Sequence, residues 1–307
     1  MPLVDRWPLL RYDEWKDTQQ TLHMWTQVVG KIRLSLEPLT NHWWNVALYV
    51  NARGLTTSVM PYTGGRSLEI SFDFVDHALT IGGCDGELAR IALEPMSVAA
   101  FYERVMQTLA SLGFHIRINT MPNEVAGAIP FERDTVHAPY DREAVDRFWR
   151  ILLQADRLCK AFRAEFIGKA SPVHFFWGSF DLASSRFSGR TAPPHPGGIP
   201  NLADWVTREA YSHEVHSVGF WPGGFGADAL FYAYMYPSPD GFSDARIEPE
   251  SAHWSTQFKE FVLPYEAVRA SSDPDDAVLR FFRSSYEAGA TLAGWDRAAL
   301  ERSARLR

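Results

Sequence analysis

Apolar side chains recur at every third or fourth position over two long stretches of the chain. The first stretch covers residues 12–32 and ends near Gly30, and the second covers 141–167. Because residues three and four apart share one face of an α-helix, this spacing predicts two long amphipathic helices. The same spacing at 98–112 and 278–292 predicts a shorter helix closing each half of the chain.

After each long helix the spacing of apolar positions changes to two, which is the period of a β-strand. Residues 42–53 alternate in this way, so we expect a strand that begins at His42. Residues 174–181 alternate likewise and predict an equivalent strand that begins at His174. Further strands are predicted at 67–75, 77–82, 87–93, 114–118, 213–221, 229–236 and 258–263.

The order of predicted elements repeats along the chain. A helix, about four antiparallel strands and a helix occur in residues 1–130 and again in 131–307, where the second copy carries a Pro- and Gly-rich loop at 190–202. This order predicts an internally duplicated α+β fold, in which the helices pack on one face of the sheet and both halves form one compact body. Helix-grip and saddle-shaped folds share the order, an analogy that carries no function.

The composition of the chain argues against some kinds of binding partner. A formal charge of −7 argues against nucleic acid, because affinity for phosphates rests on clustered Lys and Arg. Only Cys84 and Cys159 are present, too few for a disulfide framework, and residues 1–10 lack the apolar core of a signal peptide. No apolar run approaches the length that spans a bilayer. We therefore expect a cytoplasmic protein that binds neither nucleic acid nor membrane.

Five segments stand out for their Trp, His and polar content. They are LHMWTQ at 22–27, NHWW at 41–44, ARGLTTS at 52–58, SPVHFFWGSFD at 171–181 and YSHEV at 211–215. Together they resemble a family of uncharacterised bacterial proteins known only as a domain of unknown function. The resemblance covers nearly the whole chain and implies a bacterial protein. It supplies no activity and no catalytic residue.

Imidazole and carboxylate side chains in the second half suggest a metal site. In a strand at 213–221, Glu214 and His216 share one face, and His174 is the third ligand that we predict, with His42 as its counterpart in the first half. Two histidines and one carboxylate with open positions suit a divalent transition metal, the one cofactor that the sequence suggests. Alternatively, the two histidines begin strands and bind loop backbone.

The same region suggests acid–base chemistry, because polar groups among apolar residues can have pKa values near neutrality. We predict four catalytic residues, His174, Asp181, His213 and Glu214. Ser179 lies two residues before Asp181 and would add a hydroxyl to the site. The structural alternative is an ion pair between Asp181 and Arg186 or Arg190.

Aromatic residues make up 14% of the chain, and some of them stand beside arginines. We predict that Trp44, Trp177, Arg53 and Arg186 contact a small-molecule ligand. Guanidinium groups bind carboxylates and stack on rings, so such a pocket would favour a planar or anionic ligand. Arginines at strand ends can instead bind loop carbonyls.

Two functions remain open at this point. The first is an enzyme that acts on a small molecule, with assistance from a metal, in a pocket of aromatic, His and Arg residues. The second is a non-catalytic module for ligand binding or protein interaction, in which the histidines are structural.

Overall fold

The computed structural model of the protein describes residues 5–302, so the outermost residues of the two predicted repeats, 1–4 and 303–307, lie outside it. Within the described residues the chain forms seven α-helices and twelve strands. The helices are α1 (Tyr12–Leu36), α2 (Val98–Ser111), α3 (Arg142–Ala164), α4 (Asp204–Ala210), α5 (Tyr265–Arg269), α6 (Pro274–Leu292) and α7 (Arg297–Leu300).

The first half of the chain builds one antiparallel sheet. Its strands are β1 (Tyr49–Val50), β2 (Gly54–Thr56), β3 (Met60–Pro61), β4 (Ser67–Asp73), β5 (Ala78–Gly83) and β6 (Leu88–Ala92). They lie in the order β1-β2-β4-β5-β6, and β3 also pairs with β4.

The second half builds another antiparallel sheet. Its strands are β7 (His174–Phe176), β8 (Asp181–Thr191), β9 (His213–Trp221), β10 (Leu230–Tyr236), β11 (His253–Ser255) and β12 (Glu260–Pro264). Their order is β11-β12-β10-β9-β8-β7, so that β7 forms an edge.

Leu48 and Phe175 form a backbone bridge where the two sheets meet. The N–H of Leu48 donates to the carbonyl of Phe175 at 2.9 Å, and the N–H of Phe175 donates back to the carbonyl of Leu48 at 2.8 Å. These two reciprocal hydrogen bonds are typical of antiparallel pairing. They bring the β1 edge of the first sheet to the β7 edge of the second. The α+β class predicted from the sequence is confirmed. Internal duplication stays a prediction.

Helix α1 is longer than its apolar pattern predicts. It passes through Gly30 and ends at Leu36, because Glu37 precedes Pro38 and takes the extended conformation that a following proline requires. Gly30 therefore serves close packing rather than helix termination. A Cβ added there would lie 2.2 Å from the Trp177 ring.

The other long helices begin with side-chain caps. Asp141 accepts from the N–H groups of Glu143 and Ala144 at the start of α3, and Asp273 accepts from that of Asp276 at the start of α6. Such caps satisfy N–H groups that the first helical turn leaves without a partner. Among the described residues, no helix has the length and apolar character needed to cross a membrane.

Three strand predictions are corrected. His42 and Trp43 have φ values of 58° and 61°, so they form a short 3-10 turn, and the strand begins only at Tyr49. Residues 114–118 form no strand. The strand that begins at His174 ends at Phe176, and the chain then reverses through a turn into β8.

Candidate functional site

Alternate residues of the second sheet point away from α3 and α6, and we call this side the outer face. On β8 the outer face carries Asp181, Ala183 and Ser185. On the neighbouring strands Gly219 and Tyr232 stand level with Ala183. Outer-face apolar residues form a small cluster of their own around Tyr232, separate from the main core.

The side chain of Asp181 is held by two hydroxyl groups at this face. The Ser179 hydroxyl donates to Oδ1 and the Tyr232 hydroxyl donates to Oδ2. Asp181 is only 7% exposed, and burial raises the pKa of its carboxyl, although the two donors offset part of that rise. Ser179 itself is exposed, so the carboxyl reaches solvent through this hydroxyl.

The contact between Tyr232 and Asp181 depends on Gly219. A Cβ added at Gly219 would lie 2.3 Å from the Tyr232 hydroxyl oxygen and 2.2 Å from the carbonyl oxygen of Leu182. The absence of a side chain on β9 therefore lets the Tyr232 ring lie across that strand and reach β8.

Two more tyrosines, Tyr234 and Tyr211, extend the group of contacts that begins at Tyr232. The rings of Tyr232 and Tyr234 stack with centroids 6.1 Å apart, and the hydroxyl oxygens of Tyr234 and Tyr211 are 2.9 Å apart. Burial raises the pKa of Tyr211 to about 12 and those of Tyr232 and Tyr234 well above the usual value. All three phenols therefore remain protonated donors at neutral pH.

Two further carboxyl groups lie near Asp181. Glu124 belongs to a segment between the halves, where its N–H donates to the carbonyl of Pro200 at 2.8 Å and its side chain lies against Gly178. Glu260 begins β12, and the register of that strand places it beside Tyr234. We call Asp181, Glu124, Glu260, Tyr211, Tyr232 and Tyr234 the acid–tyrosine cluster.

Burial and mutual repulsion govern the protonation of this cluster. Burial, and then the charge of Asp181, raise the pKa of Glu124 to about 7 and that of Glu260 to about 8. In the part of the chain that the structure describes, no ion pair with Lys or Arg neutralises these carboxyls. Near neutral pH each glutamate can therefore give up or accept a proton, which general acid–base catalysis requires.

The predicted metal ligands do not come together. His216 points toward α6, where its Nε2 lies 3.3 Å from the Ser285 hydroxyl, whereas His174 points to the outer face. Glu214 binds Arg190 with a contact of 2.6 Å. No three His, Cys, Asp or Glu side chains within residues 5–302 form a group that could hold a metal ion. The predicted triad is corrected accordingly, because the two histidines occupy opposite sides of one sheet.

Two predicted ligand contacts are buried packing groups. Arg186 is 2% exposed, and its guanidinium carbon lies 3.4 Å from the centre of the Phe162 ring. It points toward the helices, so it does not form the alternative ion pair with Asp181. Trp177 is 5% exposed and donates from Nε1 to the carbonyl of Val46 at 2.8 Å.

Arg53 forms a surface ion network instead of a ligand contact. Its Nε donates to Asp73 at 2.6 Å, and its Nη2 lies 2.9 Å from Asp76. These residues belong to the first sheet, so Arg53 does not contribute to the acid–tyrosine cluster.

The remaining predicted residues lie at the other end of the outer face. His42 holds the carbonyl of Ala210 through Nδ1 at 2.8 Å, and its Nε2 accepts from Lys169 at 2.6 Å. The His213 ring centre lies 5.6 Å from that of His42, and the ring centre of half-buried Trp44 lies 5.1 Å from that of His42. His42 thus joins the end of α4 to the segment that precedes β7, although it does not begin a strand as the alternative interpretation expected.

The sequence pattern missed most of the acid–tyrosine cluster. Tyr232, Tyr234 and Tyr236 alternate with Phe231, Ala233 and Met235, and this period-two pattern of phenols indicates a polar aromatic face. No local signal marks Glu124 or Glu260, because they approach Asp181 only through the fold.

Two antiparallel sheets, the seven helices of residues 5–302 and an acid–tyrosine cluster on an outer face define an α+β protein with a polar aromatic site. Residues 7–302 match a family described as a family of unknown function (DUF5996), and the chain belongs to that family. Neither a search of curated proteins nor a search of solved structures gave a match.

Proposed function

We propose that the protein is an enzyme that acts on a small molecule by general acid–base catalysis at the acid–tyrosine cluster. One observation carries the proposal: Asp181 is a buried carboxyl held by Ser179 and Tyr232, at a face where two further carboxyls converge. A buried carboxyl that no ion pair within residues 5–302 neutralises costs folding free energy, so its presence beside two carboxyls of raised pKa favours a chemical use.

Each residue of the acid–tyrosine cluster has its own role in the proposed reaction. Asp181 accepts a proton from substrate that reaches it beside the exposed Ser179 hydroxyl. Glu124 and Glu260, whose pKa values lie near neutrality, exchange that proton with substrate or water. Tyr232 is a positioning residue, since its hydroxyl fixes the Asp181 carboxyl. A site with three acids favours a neutral or cationic substrate over an anion.

The test is turnover of metabolites by wild-type protein and by Asp181→Asn, which keeps the shape of the side chain and removes its basicity. Both proteins are incubated with a small-molecule cell extract, and mass spectrometry follows which compounds disappear. We expect at least one compound to be consumed by the wild type and its rate to fall by about 100-fold or more in the variant.

Asp73→Asn is the matched control, because Asp73 is also 7% exposed but lies in the first sheet with Arg53. It should consume the compound at the wild-type rate. Unchanged turnover by Asp181→Asn would refute the proposed role of this carboxyl.

A second candidate is a non-catalytic module that binds a ligand or another protein. The hydrogen bonds of His42 to Ala210 and Lys169 favour it, because they give this histidine a structural role. The same experiment separates the two functions. A compound that the wild type retains on the protein without converting it would support the binding module.

A further inference from the structure

The side chain of His174 is buried without a hydrogen-bond partner. It is 0% exposed, and within residues 5–302 neither Nδ1 nor Nε2 contacts a donor or acceptor. Burial lowers the pKa of His174 to about 3, so the ring is neutral and carries one N–H donor and one acceptor nitrogen. Buried polar atoms in proteins nearly always have partners, so a molecule other than the protein is expected here.

A second buried polar group, Arg33 of helix α1, is close enough for its charge to lower the pKa of His174 further. Arg33 is 6% exposed, and its guanidinium carbon lies 5.5 Å from the centre of the Tyr49 ring. Its Nη1 donates to the carbonyl of Thr57 and contacts Glu37 at 3.2 Å, whereas its Nε has no partner among the described residues.

Aromatic rings surround the His174 ring. The Tyr49 ring centre lies 6.3 Å from that of His174, the Trp44 ring centre lies 6.4 Å from it, and Phe176 lies 4.5 Å from it edge-on. Trp44 and Tyr49 are only half-buried, so their rings reach solvent. His174 lies at the junction of the two sheets, one residue from the pair of Leu48 and Phe175.

We propose that Arg33, Tyr49, Trp44 and His174 form a subsite for the carboxylate of a planar aromatic molecule. The unfilled N–H groups of Arg33 and His174 require an acceptor, and a carboxylate is the acceptor that guanidinium groups bind best. The surrounding rings favour an aromatic body over an aliphatic one. Glu37 occupies the Nη1 side of Arg33 and leaves the Nε side to the ligand.

This inference does not rest on the proposed acid–base function, because it concerns binding alone. His174 stands level with Ala183, and Asp181 lies two residues further along β8 on the same face, about 7 Å away along the strand. The subsite and the acid–tyrosine cluster are therefore neighbours on one face of the sheet.

Isothermal titration calorimetry with benzoate tests the subsite directly. We expect saturable binding at millimolar concentration to wild-type protein, and no binding of benzyl alcohol, which keeps the ring and lacks the anion. His174→Phe keeps a buried ring of similar size and removes both nitrogens, so benzoate should bind at least about tenfold more weakly.

His216→Phe is the matched control, because His216 is equally buried but points toward α6. It should bind benzoate as the wild type does. Equal affinity of the His174→Phe and wild-type proteins would overturn the proposal, and so would the absence of benzoate binding to the wild type. In the latter case an ordered water satisfies the ring nitrogens.

A second readout remains if His174→Phe fails to fold. In wild-type protein with 15N-labelled histidine rings, benzoate should shift the ring nitrogen resonances of His174 and leave those of His216 unchanged. Resonances of both histidines that stay fixed would refute the subsite.

Discussion

At the scale of single residues, burial sets the charge of the outer face. Glu260 and Glu124 are near Asp181, and no cation among residues 5–302 forms an ion pair with them, so they retain protons that exposed carboxyls lose. The folded protein therefore binds protons more tightly than the unfolded chain between the ordinary pKa of a glutamate and the raised value. This difference couples stability to pH.

We expect the free energy of unfolding to fall as pH rises from about 4.5 to about 8, because over that range the unfolded chain has released the Glu260 proton and the folded protein still holds it. Below this window both states are protonated and the full stability is present. Glu260→Gln should weaken the fall and stabilise the protein by about 2 kcal/mol at the upper end, after allowance for partial exposure. Urea unfolding at a series of pH values measures the effect.

Glu94→Gln is the control for this series. Its side chain is 50% exposed and paired with Arg104, so its stability curve should run parallel to that of the wild type. A Glu260→Gln curve that also runs parallel to the wild type would contradict the role assigned to burial.

Individual histidines illustrate what sequence could and could not predict. Asn41-His42 and Val173-His174 look alike as sequence, and only the second histidine begins a strand. The difference arises from tertiary contacts, because the hydrogen bonds of His42 to Ala210 and Lys169 hold it in a left-handed turn. The sequence prediction included Asp181 but not its hydrogen-bond partner Tyr232, which is 51 positions away.

At the scale of elements, helix α1 is packed on more than one side. Trp25 stacks on Phe101 of α2 at 4.7 Å, while Lys31 and Gln27 bind Asn123 in the segment between the halves. The helix therefore buries polar as well as apolar residues. Its hydrophobic spacing predicted its existence but not the contacts on its polar side.

Gly30→Ala should destabilise the protein by about 1–3 kcal/mol, although alanine is ordinarily the better residue in a helix. The added Cβ would lie 2.2 Å from the Trp177 ring, which is fixed by its hydrogen bond to Val46. Thermal and denaturant unfolding measure the loss. A stabilised Gly30→Ala variant would show that the ring has room to move.

Trp177→Leu provides the control for this contact. Removing the ring should make the additional cost of Gly30→Ala much smaller, because the two positions interact directly. If the free-energy costs of Gly30→Ala and Trp177→Leu simply add in the double variant, the contact between the two residues is not the cause of the destabilisation.

Sequence periodicity found the long helices but missed short elements and also the eleven-residue strand β8. Strand β9 coincides with the prediction at 213–221, because nine alternating residues give a strong signal. Helices α4 and α5 have seven and five residues, too few for a periodic pattern to emerge. Strand β8 was missed because Ser184 and Arg186 face the helices, where the pattern leads one to expect apolar residues.

At the scale of the whole molecule, Phe148 of α3 joins the two halves. Its ring centre lies 5.3 Å from that of Trp15 and 6.4 Å from that of Phe74 in the first half. It lies 5.6 Å from Phe180 and 6.4 Å from Phe175 in the second half. Residues of both halves belong to one continuous hydrophobic core, which extends over both sheets.

A shared core predicts that the halves unfold together. In urea, tryptophan fluorescence and far-ultraviolet circular dichroism should give coincident transitions, because neither half can lose Phe148 and keep its own packing. Phe148→Ala, at 0% exposure, should lower the free energy of unfolding by about 3–5 kcal/mol and keep the transitions coincident. Phe225→Ala, at 81% exposure, should leave it nearly unchanged. Two separate transitions in the wild type, with only one shifted by Phe148→Ala, would instead show that each half is stable by itself.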